Sequence, residues 1–452
     1  MKDTCLKPTQ ENIYQTLIDD SIKRRDDLKN FLKILDSVEE GFSIALQGNW
    51  GCGKTFFVKQ LKMILDAFNS DKSDLDEEKI RRIREIFSDG ESVNKYKAVY
   101  FDAWMHDDES DPLLSLLYAI VQDEGIRLKK SCNSDLLDIA GEISKLLFNK
   151  NPFAIVKSIK DITDKNPLQA VEKERSVYDL TEDFIGKLLS SANRLVLFID
   201  ELDRCKPTYA VQLLERVKHY FDDDRIIVVY SVNTSQLTHT IRKCYGENFS
   251  AGAYLERFFS ISVDIPRVDM RRFVNTLQGF ETAAYTIYTE TCLRFIRVYG
   301  LELRHMARYL EMAKYAEPTE NQRYNILYRN DALAYELCAT YFVPIIIGLK
   351  VYDVDLYESF IKGENSAPLL NTVTEDVLSE YWITKLTSDL DTENKAERLK
   401  IAAERLDDCY KALFVRKYHD ANDFYDVGRE IRFTARTYRE ILQKVSMLGY
   451  NK

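Results

Sequence analysis

The sequence predicts an α/β fold, a mostly parallel five-stranded sheet around a phosphate-binding loop, with helical insertions and an α-helical C-terminal region. Three observations carry this reading. Gly48–Thr55 reads G-N-W-G-C-G-K-T between an apolar run and a helical pattern. Leu195–Ile199 is wholly apolar, as a parallel strand buried on both faces requires, and ends on Asp200-Glu201. Strand-like runs alternate with helical segments to about residue 270, beyond which helical periodicity takes over.

Residues 1–41 read as an amphipathic lead-in helix, with Leu28, Phe31, Leu32 and Leu35 on one face. Phe42–Gln47 is the first strand, and Thr55–Phe68 has helical spacing through Phe57, Leu61, Ile64, Leu65 and Phe68. Between them, Gly48, Gly51 and Gly53 let the backbone turn N–H groups inward on a phosphate. Lys54 is the expected cation between the β- and γ-phosphates, and Thr55 the expected Mg²⁺ ligand. The nucleotide-binding set is Gly48, Asn49, Trp50, Gly51, Cys52, Gly53, Lys54, Thr55 and Phe56, with ATP and Mg²⁺ as cofactors.

A charge-dense insertion, residues 69–96, reads as an exposed helix with loops. Lys97–Trp104 is the second strand. In Phe101–Asp111 one His lies among five acids, with no second His or Cys at ligand spacing, so a loop is expected there and not a metal site. Residues 121–180 form a second, polar, partly helical insertion, with turns marked by Asn151-Pro152 and Asn166-Pro167.

Arg194–Asp200 is the third strand. Asp200 is assigned to Mg²⁺ and Glu201 to polarising the attacking water. Asp203 and Arg204 read either as a local ion pair capping the turn or as Arg204 facing a nucleotide across a subunit boundary. Arg225–Asn233 is the fourth strand. Asn233, counted with Lys54, Asp200 and Glu201 among the catalytic candidates, reads equally as a γ-phosphate sensor and as a turn-forming residue. Phe259–Pro266 is the fifth strand. One strand in sequence between the phosphate loop and the acid-bearing strand resembles the additional-strand class of ATPases.

The boundaries read as 1–270 for the α/β core and 271–452 for a helical lid or partner region, with its best internal break at 363–376. Leu337–Leu349 is uncharged but short of the ~20 residues a membrane helix needs. It reads as a buried helix interrupted near Pro344. Ala396-Glu-Arg-Leu399 recurs as Ala403-Glu-Arg-Leu406, which fits a single amphipathic helix better than a coiled coil. Arg416, Lys417, Arg429, Arg432, Arg436 and Arg439 are interspersed with acids and read as a solvated face.

The 452 residues exceed one compact core. A net charge of −10 excludes a uniformly basic nucleic-acid coat and leaves a local contact open. The eight cysteines, Cys5, Cys52, Cys132, Cys205, Cys244, Cys292, Cys338 and Cys409, show no C-x-x-C spacing. With no charged-then-apolar leader and no membrane span read, a reducing cytoplasm is the expected compartment.

G-N-W-G-C-G-K-T, F-D-A-W, I-D-E-L-D-R-C-K-P, Y-L-E-R-F-F, D-I-P and Gly300–Leu310 (G-L-E-L-R-H-M-A-R-Y-L), in that order, resemble the KAP family of P-loop NTPases over about residues 20–315. The resemblance matches Lys54 and Thr55 to the phosphate and Mg²⁺ residues and Asp200 to the acid of the second motif. It places Glu201 and Asp102 where many members carry Asp and Asn. Arg257, standing where Lys is common, becomes a candidate trans-acting cation, and Arg304 or Arg308 a candidate lid residue. It implies an ATPase coupled to conformational change or assembly, in bacterial exclusion of phage or mobile elements. The polar 121–180 insertion stands where many members insert membrane helices. Self-association or an effector protein is the expected partner. A nucleotide-gated scaffold with little turnover, or a nucleic-acid motor or clamp, are the alternatives.

Overall fold

The computed structural model describes residues 7–38, 40–69, 75–88, 96–128, 134–148, 167–266, 268–269, 273–274, 287–317, 328–391, 394–420 and 423–446. Contacts divide the chain into two units, Lys7–Val268 and Asp269–Lys452.

In the first unit the lead-in is two helices, α1 (Gln10–Asp19) and α2 (Arg25–Ser37), where one was expected. Asp20 and Lys23 take left-handed backbone between them (φ 48° and 54°), which ends α1 and turns the chain. Strand β1 (Phe42–Gln47) leads through the phosphate loop into α3 (Lys54–Phe68). Helix α4 (Glu77–Phe87) lies in the first insertion and is only partly exposed, because Ile83 and Phe87 are buried in the core beside α3. Strand β2 (Tyr96–Asp102) is followed by α5 (Pro112–Leu128), α6 (Ser134–Phe148) and α7 (Pro167–Leu188). Asn151-Pro152 and Asn166 lie outside the described residues, and Pro167 opens α7. Then come β3 (Arg194–Asp200), α8 (Pro207–Tyr220), β4 (Ile226–Val232), α9 (Thr234–Tyr245), α10 (Ala251–Leu255) and β5 (Ile261–Asp264).

All five strands are parallel, in the order β2-β3-β4-β1-β5. Alternation along each strand feeds two cores. Val196 and Phe198 join Ile44, Leu46 and the side chains of α1–α4 on one face. Leu195, Leu197 and Ile199 join α5, α8 and α9 on the other. The result is a three-layer sandwich with β3 and β4 sealed on both faces. Strand β4 lies between β1 and β3, so the phosphate loop and the acid pair leave the same sheet edge two strand positions apart, about 10 Å.

The second unit comprises α11 (Ile287–Tyr299), α12 (Leu303–Ala316), α13 (Ala332–Tyr352), α14 (Val354–Ile361), α15 (Ala367–Thr372), α16 (Glu380–Leu386) and α17 (Lys395–Tyr410). It ends in β6 (Phe424–Val427), β7 (Ile431–Thr434) and α18 (Ala435–Ser446). The interruption expected near Pro344 is a change of helix type within α13 and not a gap in it. A π-turn over Cys338–Phe342 precedes the proline, and the Val343 N–H bonds the Cys338 carbonyl. The wider turn carries the chain past a residue that has no N–H to give. With its flanks α13 reaches 21 residues, apolar and long enough to cross a bilayer, and 78% of its most apolar window is buried in the protein. It packs on α11, α12, α14 and α18. Helix α17 is a single amphipathic helix with Ala402, Leu406, Cys409 and Tyr410 buried. The region is helical as expected, with an antiparallel β6–β7 hairpin added near its end.

Candidate functional site

Gly48–Gly53 joins the end of β1 to the start of α3, so the N–H groups of the first helical turn open on the loop. Gly51 and Gly53 have φ of 90° and 92°, a conformation that L side chains rarely adopt. Gly48 is required by packing, since a Cβ there would lie 2.5 Å from Ile265 Cγ2 and 2.6 Å from Cys52 Sγ. Lys54 is buried, with Nζ donating to the carbonyls of Gly48 (2.5 Å) and Asn49 (3.1 Å). The ammonium therefore already lies over the loop. Thr55 follows it in the first turn of α3. The Phe56 side chain packs against the α1–α4 core, which leaves its main chain for ligand contact.

Strand β3 delivers Asp200 fully buried. Its Oδ1 accepts from the Glu201 N–H (3.0 Å) and its Oδ2 from the Tyr100 hydroxyl (3.0 Å). Asp102 on β2 is its register partner. Glu201 turns off the strand in left-handed backbone, φ 60°. Burial, then the neighbouring Asp200, raise its pKa to about 7, against the pull of Arg204. Burial likewise raises Asp102 and, with Asp200, the Tyr100 hydroxyl. The acid end thus gathers more negative charge than its own cations offset.

Trp50 joins the two ends. Its Nε1 donates to Asp203 Oδ2 at 2.5 Å, tying the phosphate loop to the turn after β3. The Arg204 guanidinium lies 5.8 Å from the Trp50 ring and 5.5 Å from the Trp104 ring, and its Nε pairs with the Glu201 carboxylate. The local ion pair is therefore made with Glu201, with Asp203 committed to Trp50. The 3₁₀ turn Leu202–Arg204 explains this, since it brings positions three apart onto one side.

The other candidates lie elsewhere. Asn233 sits at the exit of β4 and caps α9, its oxygen accepting from the Gln236 N–H at 3.3 Å. The turn-forming reading is thus met, at a position on the same sheet edge as the loop. Arg257 is exposed and precedes β5, at the sheet edge opposite its own phosphate loop, about 20 Å away along a strand. Arg304 and Arg308 belong to α12 of the second unit. His106 pairs with Glu109 and stacks on Phe101, and no cluster of metal-ligating side chains occurs among the described residues. Three of the six tail cations make ion pairs, Arg416 with Asp423, Arg432 with Asp426 and Arg436 with Glu440. No disulfide joins the six cysteines among the described residues.

The donor set suits Mg²⁺, which takes one or two protein oxygens and completes its shell with water and phosphate. Thr55 and Asp200 are such oxygens, and the surplus charge around Asp200 is what a divalent cation would neutralise. A family model, the KAP family P-loop domain, matches residues 24–291, more than half of the chain. The chain belongs to the KAP family of P-loop proteins. Membership brings nucleotide binding and NTP hydrolysis in general. The KAP match ends before Gly300–Leu310, so that part of the resemblance falls outside it. No curated protein matches the chain.

Signals for Asp203, Trp104, Tyr100 and Arg24 were weak or absent in the sequence. Trp104 sits in F-D-A-W, but its stacking on Arg204 depends on β2 and β3 pairing.

Proposed function

We propose that this chain binds Mg-ATP in the Gly48–Thr55 loop and hydrolyses it, using the turnover to drive conformational change or assembly. The observation that carries the reading is the Trp50–Asp203 bond, which ties the phosphate loop to the turn that follows Asp200-Glu201. Lys54 and the N–H groups at the start of α3 bind the phosphates. Thr55 and Asp200 hold the metal. Mg²⁺, when bound, supplies charge neutralisation on the phosphates. Glu201, poised near neutrality, orients the attacking water and takes its proton. Asn233, at the exit of β4, is the candidate γ-phosphate sensor. Bacterial defence against phage or mobile elements is the setting proposed from the family resemblance, and the cytoplasm is proposed from the scattered cysteines.

A nucleotide-gated switch with little turnover is the second reading. It is favoured by the Arg204 contact, which occupies the carboxylate that hydrolysis needs. A nucleic-acid clamp draws no comparable support, because three of the tail arginines, Arg416, Arg432 and Arg436, are already paired with acids.

Phosphate release from Mg-ATP, measured with molar mass in the presence and absence of nucleotide, tests the proposal. Turnover by the wild type, lost in Lys54→Ala, together with a nucleotide-dependent mass or shape change, supports it. Binding without phosphate release replaces it with the switch. Equal turnover in Lys54→Ala removes the site assignment.

A further inference from the structure

The turn between α1 and α2 carries two non-glycine residues in left-handed backbone, Asp20 and Lys23, a conformation that L residues adopt at a cost. Asp20 Oδ1 pins the turn, accepting from the N–H groups of Arg24 (3.1 Å) and Arg25 (3.0 Å). The outcome is a buried arginine, with Arg24 only 2% exposed. Its Nη2 donates to the carbonyls of Cys52 (3.0 Å) and Pro266 (2.8 Å), and its Nη1 to the carbonyl of Gly53 (3.3 Å). Its Cζ lies 5.8 Å from the ring of Phe57, in the first turn of α3. All three hydrogen-bond acceptors are main-chain carbonyls, and Nε has no partner. Burial draws its pKa down to about 10, which leaves it charged at neutral pH.

The chemistry of the trans peptide gives this placement a purpose. The C=O of one residue and the N–H of the next share a plane and point in opposite directions. The Cys52 carbonyl is thus coupled to the Gly53 N–H, and the Gly53 carbonyl to the Lys54 N–H. Drawing both carbonyls toward Arg24 turns both N–H groups to the other side, where an anion would be held. A cation on the carbonyls also polarises the N–H groups and strengthens them as donors. An arginine suits this task, since its fork spans several carbonyls that a point charge would not.

We propose that Arg24 is a positioning residue for the triphosphate, bracing the Cys52–Gly53 and Gly53–Lys54 peptides from behind and placing a buried positive charge behind the loop. The proposal rests on the reading of Gly48–Thr55 as the nucleotide site. Pro266, just past β5, gives the brace a second anchor on the sheet.

The test is calorimetric binding of ATP and of inorganic triphosphate to wild type, Lys54→Ala, Arg24→Met and Arg24→Lys, with melting curves to define the folded fraction. Arg24→Met is expected to weaken both ligands about tenfold or more, the scale of a lost charge-assisted hydrogen bond. Arg24→Lys is expected to recover part of that loss for both. A residue that only supported the fold would lower the melting temperature and leave both affinities of the folded protein unchanged. That result, in Arg24→Met or, if it does not fold, in Arg24→Lys, overturns the brace. Wild type that binds neither ligand overturns the nucleotide reading and the brace with it. Binding lost in Lys54→Ala and retained at full strength in the Arg24 variants overturns the brace alone.

Discussion

The two ends of the site leave the same sheet edge and are built by opposite means. The phosphate loop is made of main chain, with Gly51 and Gly53 in left-handed backbone, Gly48 pressed against Ile265, and Lys54 and Arg24 bonded to loop carbonyls. The acid end is made of side chains, with Asp102, Asp200, Glu201 and Asp203 crowded on two strands and one turn, and Arg204 the cation paired with Glu201. One end is organised for an anion. The other carries two carboxyls, Glu201 and Asp102, that burial and the neighbouring Asp200 push toward protonation. The contrast teaches that neither end is electrostatically complete by itself, and the proposed metal-bound triphosphate would complement both.

Breaking either end separates their tasks. Lys54→Ala should cost the largest effect, at least about 10²-fold in turnover, because a cation aimed at developing charge is removed. Phosphate release and nucleotide affinity should fall together. Glu201→Gln should retain nucleotide affinity and lose about 10²–10⁴ in turnover, the range for a positioned base. Gly48→Ala probes the packing of the loop. Its new Cβ meets Ile265 and Cys52 inside contact distance, so stability should drop by about 1–3 kcal/mol in urea titration, with weakened ATP binding.

A pH series sharpens the acid end. The folded-state pKa of Glu201, about 7, exceeds the ordinary carboxyl value. A carboxyl raised on folding contributes stability below its unfolded value and loses it as pH rises through its folded value. Metal-free wild type should therefore lose stability relative to Glu201→Gln between about pH 4.3 and pH 7. Parallel urea curves for the two proteins at pH 5, 6, 7 and 8 would contradict this. The smallest effect is expected away from the site. Asn394 caps α17, accepting from the Ala396 and Glu397 N–H groups. Asn394→Ala should cost about 1 kcal/mol and leave turnover unchanged.

The strands were legible because a buried parallel strand is an unbroken apolar run, as in Leu195–Ile199 and Ile226–Tyr230. The two nucleotide motifs were legible because phosphate chemistry restricts which residues serve at each spacing. What escaped depends on residues distant in sequence. Arg24 belongs to no pattern that points to Cys52, Gly53 or Pro266, and only the left-handed turn at Asp20 and Lys23 sends it inward. That same turn split the lead-in helix, without a Gly or Pro to announce it. The pairing of Arg204 with Glu201 follows from a 3₁₀ turn that composition does not signal. The β6–β7 hairpin has strands of four residues, too short for period-two alternation to stand out, although Gly428 at φ 64° marks its turn. The interruption expected near Pro344 takes the form of a π-turn just before it, which carries the helix through.

The central claim is that the phosphate loop and Asp200-Glu201 form one hydrolytic site. Single-turnover conversion of bound Mg-ATP, with protein in excess over nucleotide, tests it most directly. The wild type should convert its bound ATP to ADP and phosphate, while Glu201→Gln should bind ATP and hold it uncleaved. Cleavage by Glu201→Gln at the wild-type rate would contradict the claim and detach the acid end from the chemistry.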